Sequence, residues 1–147
     1  MMARTESDSN DYMAAAGCFC LASRQAARKI TRLYDSSMQQ SGIRATQFTI
    51  LSQLMLRGAM PVGKLAGFLG MERTTLTRNL ALLEAERWIS TEPGEDPRAR
   101  MIAITAPGRS MVRRAFPFWS MAQAQAGKML GADGQAALKV LGSRSLG

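Results

Sequence analysis

"PVGKLAGFLGMERTTLTRNLALLEAERWI", residues 61–89, decides the fold. Pro61 opens a short helix, at a position where a missing N–H costs nothing. Val62, Leu65, Ala66 and Leu69 fall at helical spacing and form its buried stripe, and Gly70 suits the left-handed residue just past a helix end. From Glu72 a second helix continues through "TTLTRNLALLEAERW", with Leu76, Leu80 and Leu83 stepping along one face and Arg73, Thr74, Thr77 and Arg78 projecting elsewhere. Two helices, a tight Gly-bearing turn and a polar-faced second helix make a helix-turn-helix pattern.

The polar face of that second helix is the informative part. Threonine is a mediocre helix former, because its branched χ1 loses freedom against the preceding turn. A face that only met water would more naturally use Glu, Lys and Gln. Threonine instead offers a short hydroxyl and a methyl, which bring a backbone close to base edges. Arginine adds bidentate contacts to guanine or an anchor on phosphate. Arg73, Thr74, Thr75, Thr77 and Arg78 are therefore candidate contacts to double-stranded DNA.

Toward the C-terminus come two β-prone runs, "RWISTEP" and "RMIAIT", joined by "GEDPRA". Ile102 and Ile104 keep a period of two, and the Gly, Asp and Pro of the connection suit a hairpin tip. A helix-turn-helix followed by a hairpin is a winged helix. At the tip, Arg98 is placed to enter a minor groove, where narrow A·T tracts strengthen the negative potential. Arg100 is assigned to a phosphate or to the strand itself, and Asp96 to local pairing with the tip arginines.

Helical spacing also flanks this unit. Residues 45–57 form a helix with Phe48, Leu51 and Met55 on one face. Before it, a long helix from Met13 to about Gln40 carries Phe19, Ala26, Ile30 and Leu33 and ends at Gly42. After Pro107-Gly108, residues 109–130 read as a helix that Pro117 kinks or divides, followed by a short one over about 133–142. The resulting fold class is mainly α with a small β-hairpin wing: a winged helix-turn-helix plus a helical region. The division expected is a disordered lead-in at 1–12, a helical dimerisation region at 13–44 and 107–147, and a DNA-binding domain at 45–106.

Composition narrows the function. The 147 residues carry a formal charge of +8, with 46% hydrophobic content and no histidine. The charge points to an anionic partner. The missing histidines remove the commonest general base and metal ligand, and Cys18 and Cys20 cannot complete a structural zinc site. Neither a dinucleotide fingerprint nor a phosphate-binding loop occurs. The expectation is a non-enzymatic protein with no metal and no cofactor. Ala15-Ala16-Gly17-Cys18 resembles a lipoprotein cleavage box, but the residues before it are polar and net acidic. No apolar run approaches the roughly 20 residues that span a bilayer. The reading is cytoplasmic, with no membrane partner.

The order of a long helix, "ATQFTILSQL", "PVGKLAGFLG", "MERTTLTRNLALLEAERWI", "EDPRARMIAIT" and "APGR" resembles the MarR family of bacterial transcription regulators, from about residue 13 onward. The resemblance implies a homodimer built from the first and the last two helices. It also implies a recognition helix at 72–86 in the major groove and Arg98 in the flanking minor groove. A repressor of a palindromic operator, released by a small-molecule effector that enters between the dimer helices and the winged helix, is the activity implied. Phe48, Met55, Trp119 and Met121 are pocket candidates. The family often has Asp where Glu72 stands, paired with the wing arginine, so a Glu72–Arg98 bridge is expected. Organic-peroxide sensors within the family resemble this chain in placing a cysteine eleven residues before a Thr in a "TRxY"-like segment, as Cys20, Thr31 and Tyr34 are here. Ala45 occupies the place of their second tyrosine. Thiol-based sensing through Cys20, with Cys18 and Tyr34, is thus one alternative function. A less specific architectural DNA-binding protein is the other.

Overall fold

A computed structural model describes residues 12–96 and 98–144; most of the lead-in, Pro97 at the wing tip and the last three residues lie outside it. In chain order the elements are α1 (Phe19–Met38), α2 (Ala45–Arg57), β1 (Met60–Pro61), α3 (Val62–Leu69), α4 (Arg73–Ala85), β2 (Ile89–Pro93), β3 (Arg100–Ile104) and α5 (Ala106–Ser143), with a 3₁₀ turn at Ala14–Gly17 ahead of α1. The mainly helical winged helix-turn-helix fold expected from the sequence is the one observed.

The helix-turn-helix is built by its apolar stripes. Leu65 of α3 and Leu76 and Leu83 of α4 are fully buried, with Leu80 nearly so. They join Ile50, Leu51 and Leu54 of α2, Ile89 and Ile102 of the sheet, and Met111 and Ala115 of α5 in one core. Gly70 takes the left-handed conformation at φ 59°, which lets the chain leave α3 and enter α4 within a few residues. Pro61 stands one position before the first helical residue, at the N-cap of α3.

The hairpin is larger than its sequence signal. Strands β2 and β3 pair antiparallel with Thr91 opposite Ile102, and β1 adds to the other edge of β3, with Met60 opposite Ile102 and Pro61 opposite Met101. A two-residue strand leaves no periodicity to read. Its Pro is tolerated because β1 is an edge strand of the order β1-β3-β2.

Three helix boundaries differ from expectation. Helix α4 stops at Ala85, short of Trp88, because Arg87 adopts φ 59°. Arg87 N–H then donates to the Glu84 carbonyl and Trp88 N–H to the Leu83 carbonyl, which closes the helix end. Helix α5 begins at Ala106, since Thr105 caps it by accepting from Gly108 N–H at 3.1 Å and Pro107 fits the first turn. Pro117 does not divide α5. The break falls at Gly131 (φ 65°, ψ 178°), between the helices expected at 109–130 and 133–142, and Gln135 beyond it donates to the Gly127 carbonyl. Finally, Cys18 is extended (ψ 115°) and outside α1, whereas the sequence pattern puts it inside a helix beginning at Met13. Residues 14–29 are exposed, so no packing overrides the weak helix propensity of Gly17.

Candidate nucleic-acid interface

Burial of Leu76, Leu80 and Leu83 rotates the opposite face of α4 to solvent. Arg73, Thr74, Thr75, Thr77 and Arg78 are all exposed on it. Thr77 Oγ1 donates to the Arg73 carbonyl at 2.8 Å, four residues back, which holds its side chain against the helix backbone. Asn79 likewise donates to the Thr75 carbonyl at 3.0 Å. The face therefore presents hydroxyls, methyls and two guanidinium groups to solvent.

The wing tip is held by its own backbone. Gly94 N–H donates to the Ala99 carbonyl at 2.8 Å, and Ala99 N–H to the Asp96 carbonyl at 2.9 Å. The Asp96 carboxylate accepts from the backbone N–H of Arg98 at 2.9 Å, an Asx turn that orders the tip and leaves the exposed Arg98 side chain to reach outward. Gly94 is required here, because a Cβ at this position would lie 2.7 Å from the Ala99 carbonyl oxygen. Glu72 is the exposed N-cap of α4 and makes no side-chain capping bond; the carboxylate engaged with Arg98 is that of Asp96, through the backbone. Arg100 opens β3, exposed and opposite Pro93.

The same fold occurs in known proteins. Over 85% of this chain and 93% of the other, the fold is similar to the M. tuberculosis transcriptional regulator MosR solved with DNA, at 34% identity and a TM-score of 0.77. Residues 43–98, which run from just before α2 to the wing tip, match the sequence profile of the MarR family. The chain belongs to the MarR family. MarR members are DNA-binding transcription regulators, and the MarR-type winged helix is the arrangement of α2, α3, α4 and the sheet found here. An E. coli MarR mutant in complex with operator DNA has the same fold, at 22% identity and a TM-score of 0.73, over 90% of this chain and 93% of that one. An uncharacterised HTH-type transcriptional regulator of Bacillus subtilis, YwoH, is 28% identical over 81 residues, 55% of this chain. The aligned region spans 59% of the length of that relative.

The remaining candidates lie apart from the wing and α4. Cys18 and Cys20 are exposed and free. Because Cys18 lies outside α1, helix geometry does not hold the two thiols on different faces. Cys20 and Tyr34 sit on one helix, fourteen residues and about 21 Å apart at 1.5 Å per residue. Within one chain Tyr34 cannot reach that thiol. Its hydroxyl instead donates to Gln123 Oε1 of α5, and partial burial raises its pKa above the ordinary tyrosine value of 10.0. Phe48, Met55 and Trp119 do line one cavity of about 380 Å³ between α2 and α5, together with Ser52, Val112 and Phe116. Trp119 stacks between Phe48 (5.9 Å) and Phe116 (5.4 Å). Met121 is 66% exposed and outside it: two residues past Trp119 turns a side chain to another helix face.

One basic cluster is not foreseen from the sequence. The Arg57 guanidinium at the end of α2 lies 4.4 Å above the Phe68 ring, and Lys64 Nζ is 5.9 Å from the same ring. The available signal was an absence: no Asp or Glu occurs between Asp35 and Glu72.

Proposed function

We propose that the chain is a cytoplasmic, homodimeric regulator that represses transcription from a palindromic operator and is released by a small-molecule effector. The observation that carries this reading is the exposed face of Arg73, Thr74, Thr75, Thr77 and Arg78 on α4, flanked by a wing whose tip leaves Arg98 exposed. In this reading α4 enters the major groove, Arg98 the neighbouring minor groove, and Arg100 a phosphate. Labour divides between the DNA-binding region, 45–106, and a dimerising region formed by 13–44 and 107–147.

Dimerisation is supported by apolar side chains that a single chain leaves in water. Phe19 is 91% exposed on α1, and Met121, Met129 and Leu141 are more than half exposed on α5. Exposure on that scale marks a surface that another chain covers. A two-fold axis would set the two α4 helices about one helical turn of DNA, roughly 34 Å, apart. The aromatic cavity between α2 and α5, with its Ser52 hydroxyl buried and unpartnered among the described residues, is the effector site this reading favours. An effector acts only through different affinity for the two spacings of α4.

The test is to select bound fragments of the host genome with the purified protein, then repeat the binding with candidate ligands. Enrichment of one inverted repeat supports the reading. Equal retention of all fragments replaces it with the architectural alternative. Thiol sensing stays a second reading because Cys18 and Cys20 are both exposed and free; it predicts loss of binding on treatment with an organic hydroperoxide and retention in Cys20→Ser. Glu72 is assigned to steadying Arg98, and zero coupling in a Glu72→Ala, Arg98→Ala double-mutant cycle would discard that pairing.

A further inference from the structure

The sheet register fixes which end of α3 lies toward the wing tip. Strand β3 runs from the wing tip at Arg100 to Ile104, and antiparallel β1 pairs Met60 with Ile102 and Pro61 with Met101. Strand β1 therefore runs toward the tip, so α3 starts from the end of β1 that points to the wing. The first turn of α3 thus lies on the tip side of β1, while Arg57, which precedes β1, reaches the exposed face of α3 through its side chain. In a helix-turn-helix the first helix crosses the nucleic-acid backbone while the second enters the groove.

On the exposed face of that first helix stands the Arg57–Phe68–Lys64 cluster. Lys64 and Phe68 are four residues apart on the exposed face of α3, opposite the buried Leu65 and Ala66. Arg57 is ordered twice: its Nε donates to Gln53 Oε1 at 2.8 Å, and its guanidinium plane covers the Phe68 ring. Those contacts use Nε and one face, so the Nη edge is the part able to receive an anion. A phosphate suits that edge, because a guanidinium fork binds two phosphate oxygens at once. Phe68 is 48% exposed, a large aromatic in water whose role is explained by holding both cations. The absence of any acidic residue from Ser36 to Met71 leaves these charges without a carboxylate from their own segment.

We propose that Arg57 and Lys64, held over Phe68, form a second phosphate-binding site that grips the DNA backbone beside the groove occupied by α4. The proposal rests on the DNA-binding reading above and adds residues to it that read no bases. Its signature is uniform: the site contributes equally to operator and to random duplex.

Arg57→Gln and Lys64→Gln in the full chain test it, since both residues are exposed and neither holds the core. Each is titrated with operator and with random duplex across a salt series, with thermal melts as a check on folding. The expected result is an equal fold-loss on both duplexes at unchanged melting temperature. The slope of log affinity against log salt should be shallower by about 0.9 for each phosphate that the variant no longer neutralises. An unchanged slope in both variants overturns the site, as does a loss confined to operator. A wild-type protein that binds both duplexes equally refutes the sequence-specific reading instead, and the slope still decides the phosphate site.

Discussion

Gly108→Ala is the substitution whose cost the structure specifies most fully. Gly108 lies in the first turn of α5, against the chain entering β2. A Cβ there would fall 2.1 Å from the Trp88 carbonyl oxygen, 2.9 Å from Ile104 Cγ1 and 3.0 Å from the Trp88 carbonyl carbon. The obstacle is backbone, so a side-chain rotation does not remove it. That same carbonyl accepts from Thr105 N–H at 3.0 Å, while the Thr105 hydroxyl donates to the Arg87 carbonyl at 2.7 Å and accepts from Gly108 N–H at 3.1 Å. Separating the two segments loosens the seam that joins recognition helix, wing and α5. Overpacking costs about 1–3 kcal/mol. Breaking one hydrogen bond and the Thr105 cap adds about 1 kcal/mol each. The better helix propensity of Ala returns about 1 kcal/mol. The net is a loss of about 2–4 kcal/mol, which for a chain of this length lowers the melting temperature by roughly 5–15 °C. Calorimetry at one fixed protein concentration measures it, since association also moves the midpoint. A variant as stable as wild type, or more so, would refute the close approach of α5 to Trp88.

Other perturbations act at single residues. Arg87→Gly should stabilise the chain by about 0.5–1 kcal/mol in a denaturant titration, because only Arg87 among the non-glycine residues described holds a positive φ; destabilisation would show that the Arg87 side chain matters more than its backbone. Leu76→Ala removes a fully buried side chain from the inner face of α4 and should cost about 2–5 kcal/mol, with DNA affinity falling alongside stability; a neutral result would place Leu76 outside the core. Tyr34→Phe deletes the bond to Gln123 that ties α1 to α5 and should cost about 0.5–1.5 kcal/mol. The raised pKa of Tyr34 means the folded chain holds the phenolic proton more tightly than the unfolded one, so stability falls as pH rises above about 10. Tyr34→Phe should lose that part of the alkaline decline, as read by melts across the alkaline range.

What the sequence disclosed depended on whether a signal was periodic. Leu65, Leu76, Leu80 and Leu83 marked the two helices of the DNA-binding motif, because burial on one side repeats every three or four residues. The wing was legible from Ile102 and Ile104 and from the Gly, Asp and Pro between the strands. Strand β1 was not, since Met60 and Pro61 are a strand only by virtue of β3 beside them. Pro117 and Gly131 show the limit of residue propensities: α5 absorbs the lost N–H of the former, while the left-handed backbone of the latter turns the chain. Arg87 closes α4 in a conformation usually given to glycine, so no residue type announced that helix end. The polar residues of α4 stand out by their chemistry, and burial of the leucines on the other side leaves them in solvent. The Arg57–Phe68–Lys64 cluster was hidden because its members come from two helices, and only the lack of nearby acids hinted at it.

The central claim, that the polar face of α4 and the wing arginine recognise DNA, is tested most directly by measuring operator affinity for wild type, Arg78→Ala and Arg98→Ala, with melts on the same samples. Both variants should bind operator more weakly while melting like the wild type, and Arg78→Ala should lose preference for operator over random duplex, because a base contact carries about 1–3 kcal/mol of discrimination. Unchanged operator affinity in both variants would contradict the assignment of this face to DNA.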